Sequence, residues 1–136
     1  MDRLAARRWL CGLALAGLSF SLAAALDLAT GLPAPGGHDE ASYLLAADTY
    51  ATGRLANPTH PHWEHFETFH VIHQPTYVSK YPPMQGLVLA AGQVVAGHPA
   101  VGIWLGTAFM CVAVFWMLLA WLPPRWALLG GLFALG

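Results

Sequence analysis

The sequence predicts an all-α membrane protein, and two observations carry that prediction. Of the 136 residues, 57% are hydrophobic and only 10% are charged, whereas charged residues make up roughly 25% of a typical soluble domain. The apolar residues are gathered into long uncharged runs, which is the pattern of transmembrane helices. The net charge of −1 argues against nucleic acid as a partner, because phosphate binding needs a surplus of basic residues.

The first apolar run covers residues 9–26 and follows a basic head, residues 1–8. As a helix this run is roughly 27 Å long, close to the thickness of the hydrocarbon core. The arginines of the head place it in the cytoplasm by the positive-inside rule. A cleavable signal peptide is the alternative, since residues 23–25 are all alanine and small residues are typical of a cleavage site.

Residues 27–99 are the polar part of the chain and are predicted to form an extracytoplasmic loop. This segment holds all seven histidines, and its scarcity of Lys and Arg is typical of an exported loop. We expect a short helix over residues 39–52, because Asp39 is a favourable N-cap and Gly53 is a favourable helix terminator.

A second helix is predicted over residues 84–97, opened by Pro82 and Pro83. Proline suits the first helical turn, where its missing N–H has no partner to lose. The helix is roughly 21 Å long and therefore too short to span a membrane comfortably. Its small residues on one face, among them Gly86 and Ala90, would let another backbone approach closely. We therefore expect it at the outer interface, packed on its neighbours.

The clearest transmembrane helix is predicted over residues 100–122, which carry no charge. Residues 123–125 are expected to be a cytoplasmic turn, marked by Arg125. Residues 126–136 then begin a third transmembrane helix that this chain does not finish. The sequence therefore predicts a multi-pass protein of the inner (plasma) membrane, of which this chain is the N-terminal piece.

Asp39 and Glu40 are the first candidates for chemistry. Two neighbouring carboxylates can divide the work, one as a general base and the other as a group that orients a substrate or a metal ion. Consecutive side chains on a helix point about 100° apart, so the two acids need not serve the same ligand. A well-capped helix without any catalytic role is the plain structural alternative.

Lys80 is the second candidate, because it stands just before the predicted helix at residues 84–97. A cation at a helix start is well placed to bind a phosphate, with help from the helix dipole. The structural alternative is a solvated surface lysine, which is common.

Histidines with neighbouring acids form the third candidate. Imidazole and carboxylate together can hold a divalent metal ion such as zinc, although the spacing here matches no defined zinc signature. Hydrogen bonding within the loop is the alternative. The residues of this set are His60, His62, His65, His70, His73, Glu64 and Glu67, of which His60, His62 and His65 are the candidate metal ligands.

The order of these pieces resembles the start of the GT-C membrane glycosyltransferases. The segment from His38 to Ala47, followed by Gly53-Arg54-Leu55, is similar to the first outer loop of that group. Within that group the chain resembles the family 39 branch, which is related to the protein O-mannosyltransferases and the aminoarabinose transferase of lipid A. Residues 81–87 resemble the proline-opened juxtamembrane helix of the same proteins. The resemblance covers nearly the whole chain and implies a truncated GT-C-like architecture.

The resemblance implies an enzyme that transfers a sugar on the outer side of the membrane, with inversion. The donor would be a polyprenyl-phosphate sugar and the acceptor an exported lipid or protein. Asp39 would be the catalytic base, Glu40 its partner in organising the acceptor or a divalent metal ion, and Lys80 a contact to the donor phosphate. Because many further spans of the family are absent from this chain, we expect the fragment alone to be inactive.

Two functions from other classes stay open at this point. A non-enzymatic membrane protein could use its histidine-rich outer loop to bind a metal ion or a partner. A purely structural subunit could pack through Gly102 and Gly106, a GxxxG pair.

Overall fold

The computed structural model describes residues 7–32 and 34–135, so most of the predicted basic head, together with Pro33 and Gly136, lies outside the described residues. The prediction of a mainly helical chain is confirmed. In chain order the helices and strands are α1 (Arg8–Thr30), α2 (His38–Ala51), a 3₁₀ turn (Trp63–His65), β1 (Val71–Ile72), β2 (Val78–Ser79), α3 (Pro83–Ala96), α4 (Ala100–Leu118) and α5 (Pro124–Phe133).

The chain divides into two compact units. One unit combines Met1–Gly31 with Trp104–Gly136, and the other is Leu32–Ile103. We call the second one the loop unit, because it contains most of the polar segment predicted to lie outside the membrane. The first one is called the helical unit.

Helices α1 and α4 are long and apolar enough to cross a membrane, with mean hydropathies of 1.9 and 2.0 over their most apolar stretches. Large apolar side chains remain exposed on both helices, for example Leu13 at 68% and Phe109 at 77%. Helices that are apolar on their exposed sides as well as their packed sides are typical of membrane spans.

Helix α1 runs four residues beyond the predicted end at residue 26 and takes in Asp27. The Trp104 indole Nε1 donates a hydrogen bond to Asp27 Oδ2 over 2.6 Å, so the carboxylate is satisfied inside a helix. The helix stops at Gly31, whose φ of +100° favours glycine.

The helical unit has its own apolar core. The buried members of this core are Leu15, Cys111, Phe115 and Ala127. Gly131 of α5 lies so close to α1 that an added Cβ would stand only 2.6 Å from Leu15 Cδ2.

In the loop unit, α2 packs on α3 around the buried residues Ala47, Leu89 and Ala90. The two helices approach closely at Gly86, where an added Cβ would lie 2.7 Å from Ala46 Cβ. The small-residue face predicted for the second helix is therefore used, and its partner is α2. A second close approach joins α3 to the start of α4, where a Cβ on Gly102 would overlap the carbonyl oxygen of Val88.

The start of α2 differs from the prediction, because the N-cap residue is Gly37 and not Asp39. Glu40 Oε2 accepts hydrogen bonds from the backbone N–H groups of Gly36 at 2.7 Å and Gly37 at 3.3 Å. This is the reach-back half of a capping box. It fixes the chain before the helix and leaves Asp39 within the first turn.

The end of α2 follows the prediction. Gly53 adopts φ +73°, and its N–H donates to Tyr50 O over 2.9 Å. The next N–H, of Arg54, donates to Thr49 O over 3.0 Å. This pair of bonds is a Schellman motif, which a glycine in the left-handed region favours.

The sequence predicted a turn over residues 123–125, but these residues form the start of α5. Pro123 is the N-cap of α5 and Pro124 is its first residue, so Arg125 lies in the first helical turn. The fixed φ of proline is already suited to a helix start. Before it, α4 ends at Leu118, four residues earlier than predicted.

The segment between α2 and α3 is largely irregular, but it contains a small antiparallel hairpin. Strands β1 and β2 pair Val71 with Ser79 and Ile72 with Val78. An isolated bridge between Asn57 and Tyr77 extends the pairing toward the end of α2. The hairpin brings the chain just before α3 back onto α2.

Candidate active site

Asp39 lies on the first turn of α2 with its side chain exposed. An added Cβ on Gly37 would stand 2.5 Å from Asp39 Oδ1, so the carboxylate lies over the backbone at the start of the helix. No hydrogen bond from another described residue occupies this carboxylate. The carboxylate is therefore available as a base.

An aromatic cluster lies beside Asp39, and we define it as His38, Tyr43, His70 and Tyr81. The Tyr81 phenol and His70 Nδ1 share a hydrogen bond of 2.5 Å, whose donor depends on the histidine tautomer. The rings of Tyr43 and Tyr81 stack with centroids 4.9 Å apart. The rings of His38 and His70 stack at 6.0 Å.

Electrostatics connects Asp39 to this cluster. Partial desolvation raises the pKa of the Tyr81 phenol, and the nearby Asp39 carboxylate and then Tyr43 raise this pKa further. A negative charge opposes the formation of a second one next to it. Tyr81 therefore stays a neutral hydrogen-bonding group close to the Asp39 carboxylate.

Ser42 of α2 fixes the aromatic cluster through two hydrogen bonds. Its side chain is buried, with 1% exposed, and its hydroxyl donates to the backbone carbonyl of His70 over 2.7 Å. The same hydroxyl shares a hydrogen bond of 2.8 Å with Ser79 Oγ. One residue of α2 thus fixes both strands of the hairpin and, through them, His70 and Tyr81.

Glu40 has a different role from Asp39, although both carboxylates lie near Gly37. Its Oε2 serves the backbone of Gly36 and Gly37, as described above, and the residue lines a groove of about 470 Å³ in the loop unit. The other lining residues are Ala34, Pro35, Tyr43, Leu44, Gln85, Leu89 and Ile103. The two predicted acids therefore serve different places, and Tyr43 belongs to both the groove and the aromatic cluster.

Lys80 lies between Ser79 and Tyr81, in the segment that returns onto α2. Its ammonium stands over the ring of Phe69, with Nζ 3.2 Å from the centroid, which is a cation–π contact. Its backbone N–H donates to His70 O over 3.2 Å. The side chain is exposed, so the predicted phosphate contact stays a prediction.

The candidate metal ligands lie next to one another without forming a chelating group. Ring centroids are 5.8 Å apart for His60 and His62 and 6.4 Å apart for His62 and His65. Across residues 7–32 and 34–135, no three His, Cys, Asp or Glu side chains are gathered closely enough to hold one metal ion. Divalent metal binding stays a prediction.

The sequence did not identify the aromatic cluster as a unit. His70 was noted only as part of the histidine set, and Tyr81 only as the first residue of the segment 81–87. Ser42 carried no signal at all. The contacts that join them span 28 residues between Ser42 and His70 and 37 between Ser42 and Ser79, across a segment without any periodic pattern.

Comparison with known proteins finds no matching family model, no matching curated protein and no matching solved structure. The chemistry of this site is therefore argued from its own residues. A free carboxylate at a helix start, a neutral phenol and an imidazole together can bind a hydroxyl-bearing ligand and accept a proton from it.

Proposed function

We propose that this chain belongs to a multi-pass membrane glycosyltransferase whose catalytic face includes the loop unit. The sugar would come from a polyprenyl-phosphate donor and pass to an exported lipid or protein acceptor. The observation that carries the proposal is Asp39, a carboxylate free of hydrogen bonds to the other described residues, exposed beside the Tyr81–His70 pair. This arrangement suits a general base for an acceptor hydroxyl.

The proposed reaction is a single displacement. The acceptor oxygen attacks the anomeric carbon of the sugar while the bond from that carbon to the phosphate oxygen breaks. The phosphate leaves with the electron pair, and Asp39 takes the proton of the acceptor hydroxyl. Attack from the side opposite the phosphate inverts the anomeric configuration.

The groove that Tyr43 shares with the cluster is the proposed place of the donor. Its apolar side is formed by Leu44, Leu89 and Ile103, and its polar side by Glu40 and Gln85. An isoprenoid chain fits the first group, and sugar hydroxyls fit the second. Lys80 is proposed to bind the donor phosphate by moving off the Phe69 ring, and Glu40 to keep the loop before α2 in place.

The membrane setting supports this proposal. Helices α1 and α4 are apolar enough to cross a bilayer, and α3 ends only a few residues before α4 begins. We propose that the loop unit faces the periplasmic or outer side of the inner membrane, since the basic residues at Arg7, Arg8 and Arg125 belong to the other unit.

The experiment that tests this function is a sugar-transfer assay with the protein in vesicles. Polyprenyl-phosphate sugars are supplied as donors, and the anomeric configuration of the product is determined. We expect transfer with inversion. Transfer with retention, or the absence of transfer from every polyprenyl-phosphate donor tried, would contradict the proposal.

Calorimetry distinguishes the non-enzymatic, metal-binding alternative from the glycosyltransferase by measuring the affinity of this chain for zinc. We expect only weak binding, in the millimolar range, since structural zinc sites use three or four closely placed ligands. A submicromolar affinity that is lost when His60, His62 and His65 are replaced together would favour the non-enzymatic alternative.

A further inference from the structure

The helical unit contains a cavity of about 340 Å³ where the start of α1 meets the start of α5. Arg8 is the first residue of α1, and Arg125 is the second residue of α5. Both arginines line the cavity, and the rest of its wall is mainly apolar, with Cys11, Phe115, Leu128 and Leu129 among the lining residues. The outer loop chemistry uses none of these residues.

The positive charge at this cavity is not balanced within the described part of the helical unit. The only acid there is Asp27, which lies roughly 28 Å from Arg8 along α1 and already accepts a hydrogen bond from Trp104. Arg125 instead stands over the ring of Trp126, with Cζ 5.8 Å from the centroid. Two exposed arginine residues therefore line an apolar space without a carboxylate partner among the described residues of this unit.

The two helix starts add to this positive potential. Neither the N-cap of α1, Arg7, nor that of α5, Pro123, supplies a side-chain hydrogen bond to the first turn. The first N–H groups of a helix and its dipole favour an anion placed beside them. At α5 the first turn offers few free N–H groups, because Pro124 has none and those of Trp126 and Ala127 donate to Pro123 O. The helix dipoles and the two arginines thus favour the same kind of ligand.

We propose that this cavity binds an anionic phospholipid of the cytoplasmic leaflet. The phosphate would be held by Arg8 and Arg125, since guanidinium groups bind phosphate oxygens through paired hydrogen bonds. An acyl chain would lie along Phe115, Leu128 and Leu129. Basic pockets between membrane helices on the cytoplasmic side are suited to such headgroups. The proposal depends on the membrane placement of α1 and α4 and is independent of the sugar-transfer chemistry.

A lipid fits this cavity better than a free phosphate ester because of the apolar wall. A small phosphate ester would leave the side chains of Phe115, Leu128 and Leu129 in contact with water. An acyl chain would cover this apolar surface and gain from its burial. A phospholipid should therefore bind more tightly than a free phosphate ester.

The test uses the full chain in a non-ionic detergent, with bound lipids counted by native mass spectrometry. Phosphatidylglycerol is the anionic probe and phosphatidylcholine the zwitterionic comparison. We expect phosphatidylglycerol to bind more tightly by about 10-fold or more, as estimated for two arginine–phosphate contacts. In Arg8→Gln/Arg125→Gln the preference should disappear while phosphatidylcholine binding stays the same.

The matched control is Arg7→Gln, which removes the same charge from the adjacent residue without touching the cavity. It should change phosphatidylglycerol binding by less than about twofold, as for an exposed surface charge. Circular dichroism checks the helix content of each variant. Should the double variant lose its fold, Leu129→Trp decides the case, because it fills the apolar part of the cavity with both arginines in place and should also lower lipid binding.

Three outcomes would overturn the proposal. One is equal binding of the two lipids by the unaltered chain. Another is an equal loss in Arg7→Gln, which would indicate general charge attraction only. The third is binding of glycerol phosphate as tight as that of phosphatidylglycerol, which would assign the site to free phosphate esters.

Discussion

At the scale of single residues, Asp39 and Glu40 show how neighbouring acids acquire different roles. Glu40 reaches back to two backbone N–H groups and holds the chain before α2. Asp39 is left without a hydrogen bond to the other described residues and lies beside the Tyr81–His70 pair. The sequence placed both acids at the helix start, but its prediction of Asp39 as the N-cap was wrong, because the N-cap is Gly37.

A first prediction concerns the titration of Tyr81. Desolvation and the Asp39 carboxylate raise the pKa of this phenol above its ordinary value of 10.0. The contribution of this group to stability is therefore complete below about pH 10 and is lost as the pH rises through the higher folded-state pKa. The phenolate absorbance of the chain minus that of Tyr81→Phe should show this raised pKa directly.

The control for this titration is the same difference measured in Asp39→Asn. Removing the carboxylate should lower the pKa of Tyr81 toward 10.0, although desolvation, which is the larger cause, persists. Asp48→Asn provides a matched variant, since Asp48 lies on the same helix but bonds to Gln93. An equal shift in both variants would mean that Asp39 has no special relation to Tyr81.

At the scale of helices, close backbone approach decides the packing of the loop unit. The missing side chain of Gly86 lets α2 pack closely on α3, and that of Gly102 lets α3 pack closely on α4. The GxxxG pair of Gly102 and Gly106 was noted as a signal for packing between helices. In the structure the neighbour of Gly102 belongs to the same chain.

A second prediction follows for Gly102→Ala. The added methyl group would overlap the Val88 carbonyl, which is backbone and cannot turn aside, so α3 and α4 must separate. We expect a loss of stability of about 2 kcal/mol or more, as for overpacking in a close-packed site. Thermal unfolding in detergent measures this loss.

Gly17→Ala is the control for that variant, because nothing lies within 4 Å of a Cβ built at Gly17 on α1. Alanine is the better helix former by roughly 1 kcal/mol in a helix interior, so this variant should be neutral or stabilising. A similar loss of stability in both variants would refute the account of the α3–α4 contact.

The helix positions illustrate what could be predicted from the sequence. Pro83 opens α3, and Gly53 and Gly97 stand in the left-handed region at helix ends. These signals act locally, so the predicted bounds of α2 and α3 lie within one residue of those observed. The extension of α1 through Asp27 was missed, because it depends on Trp104, 77 residues away. Long-range pairs of this kind leave no trace in local sequence patterns.

At the scale of the whole molecule, the two units divide the proposed work. The helical unit supplies apolar helices and the arginine-lined cavity. The loop unit supplies Asp39, the aromatic cluster and the groove. The proposal that the loop unit faces the outer side of the membrane is open to a direct test.

A third prediction therefore concerns orientation. Leu55, in the loop unit, is 85% exposed, so a cysteine there should react with an impermeant thiol reagent applied from the outer side. A cysteine at the exposed Pro123 should react only after the membrane is opened. Both variants are made with Cys11 and Cys111 replaced by serine. Protection of the Leu55 position in intact cells would refute the orientation.

The central claim is that Asp39 acts as the base, and its most direct test is the turnover number of Asp39→Asn in sugar transfer. Asparagine keeps the size of the side chain but removes the basic oxygen. Since Asp39 is not the N-cap, the variant should lose only the favourable interaction with the helix dipole, about 0.3 to 1 kcal/mol. The protein level in the membrane should therefore stay close to normal.

We expect the turnover number of Asp39→Asn to fall by about 10² to 10⁴, the usual contribution of general base catalysis. Asp48→Asn, which makes the same charge change on the same helix outside the cluster, should keep near-normal turnover. The turnover numbers of both variants are measured with the same polyprenyl-phosphate sugar donor and at equal protein levels. Near-normal turnover in Asp39→Asn would contradict the account.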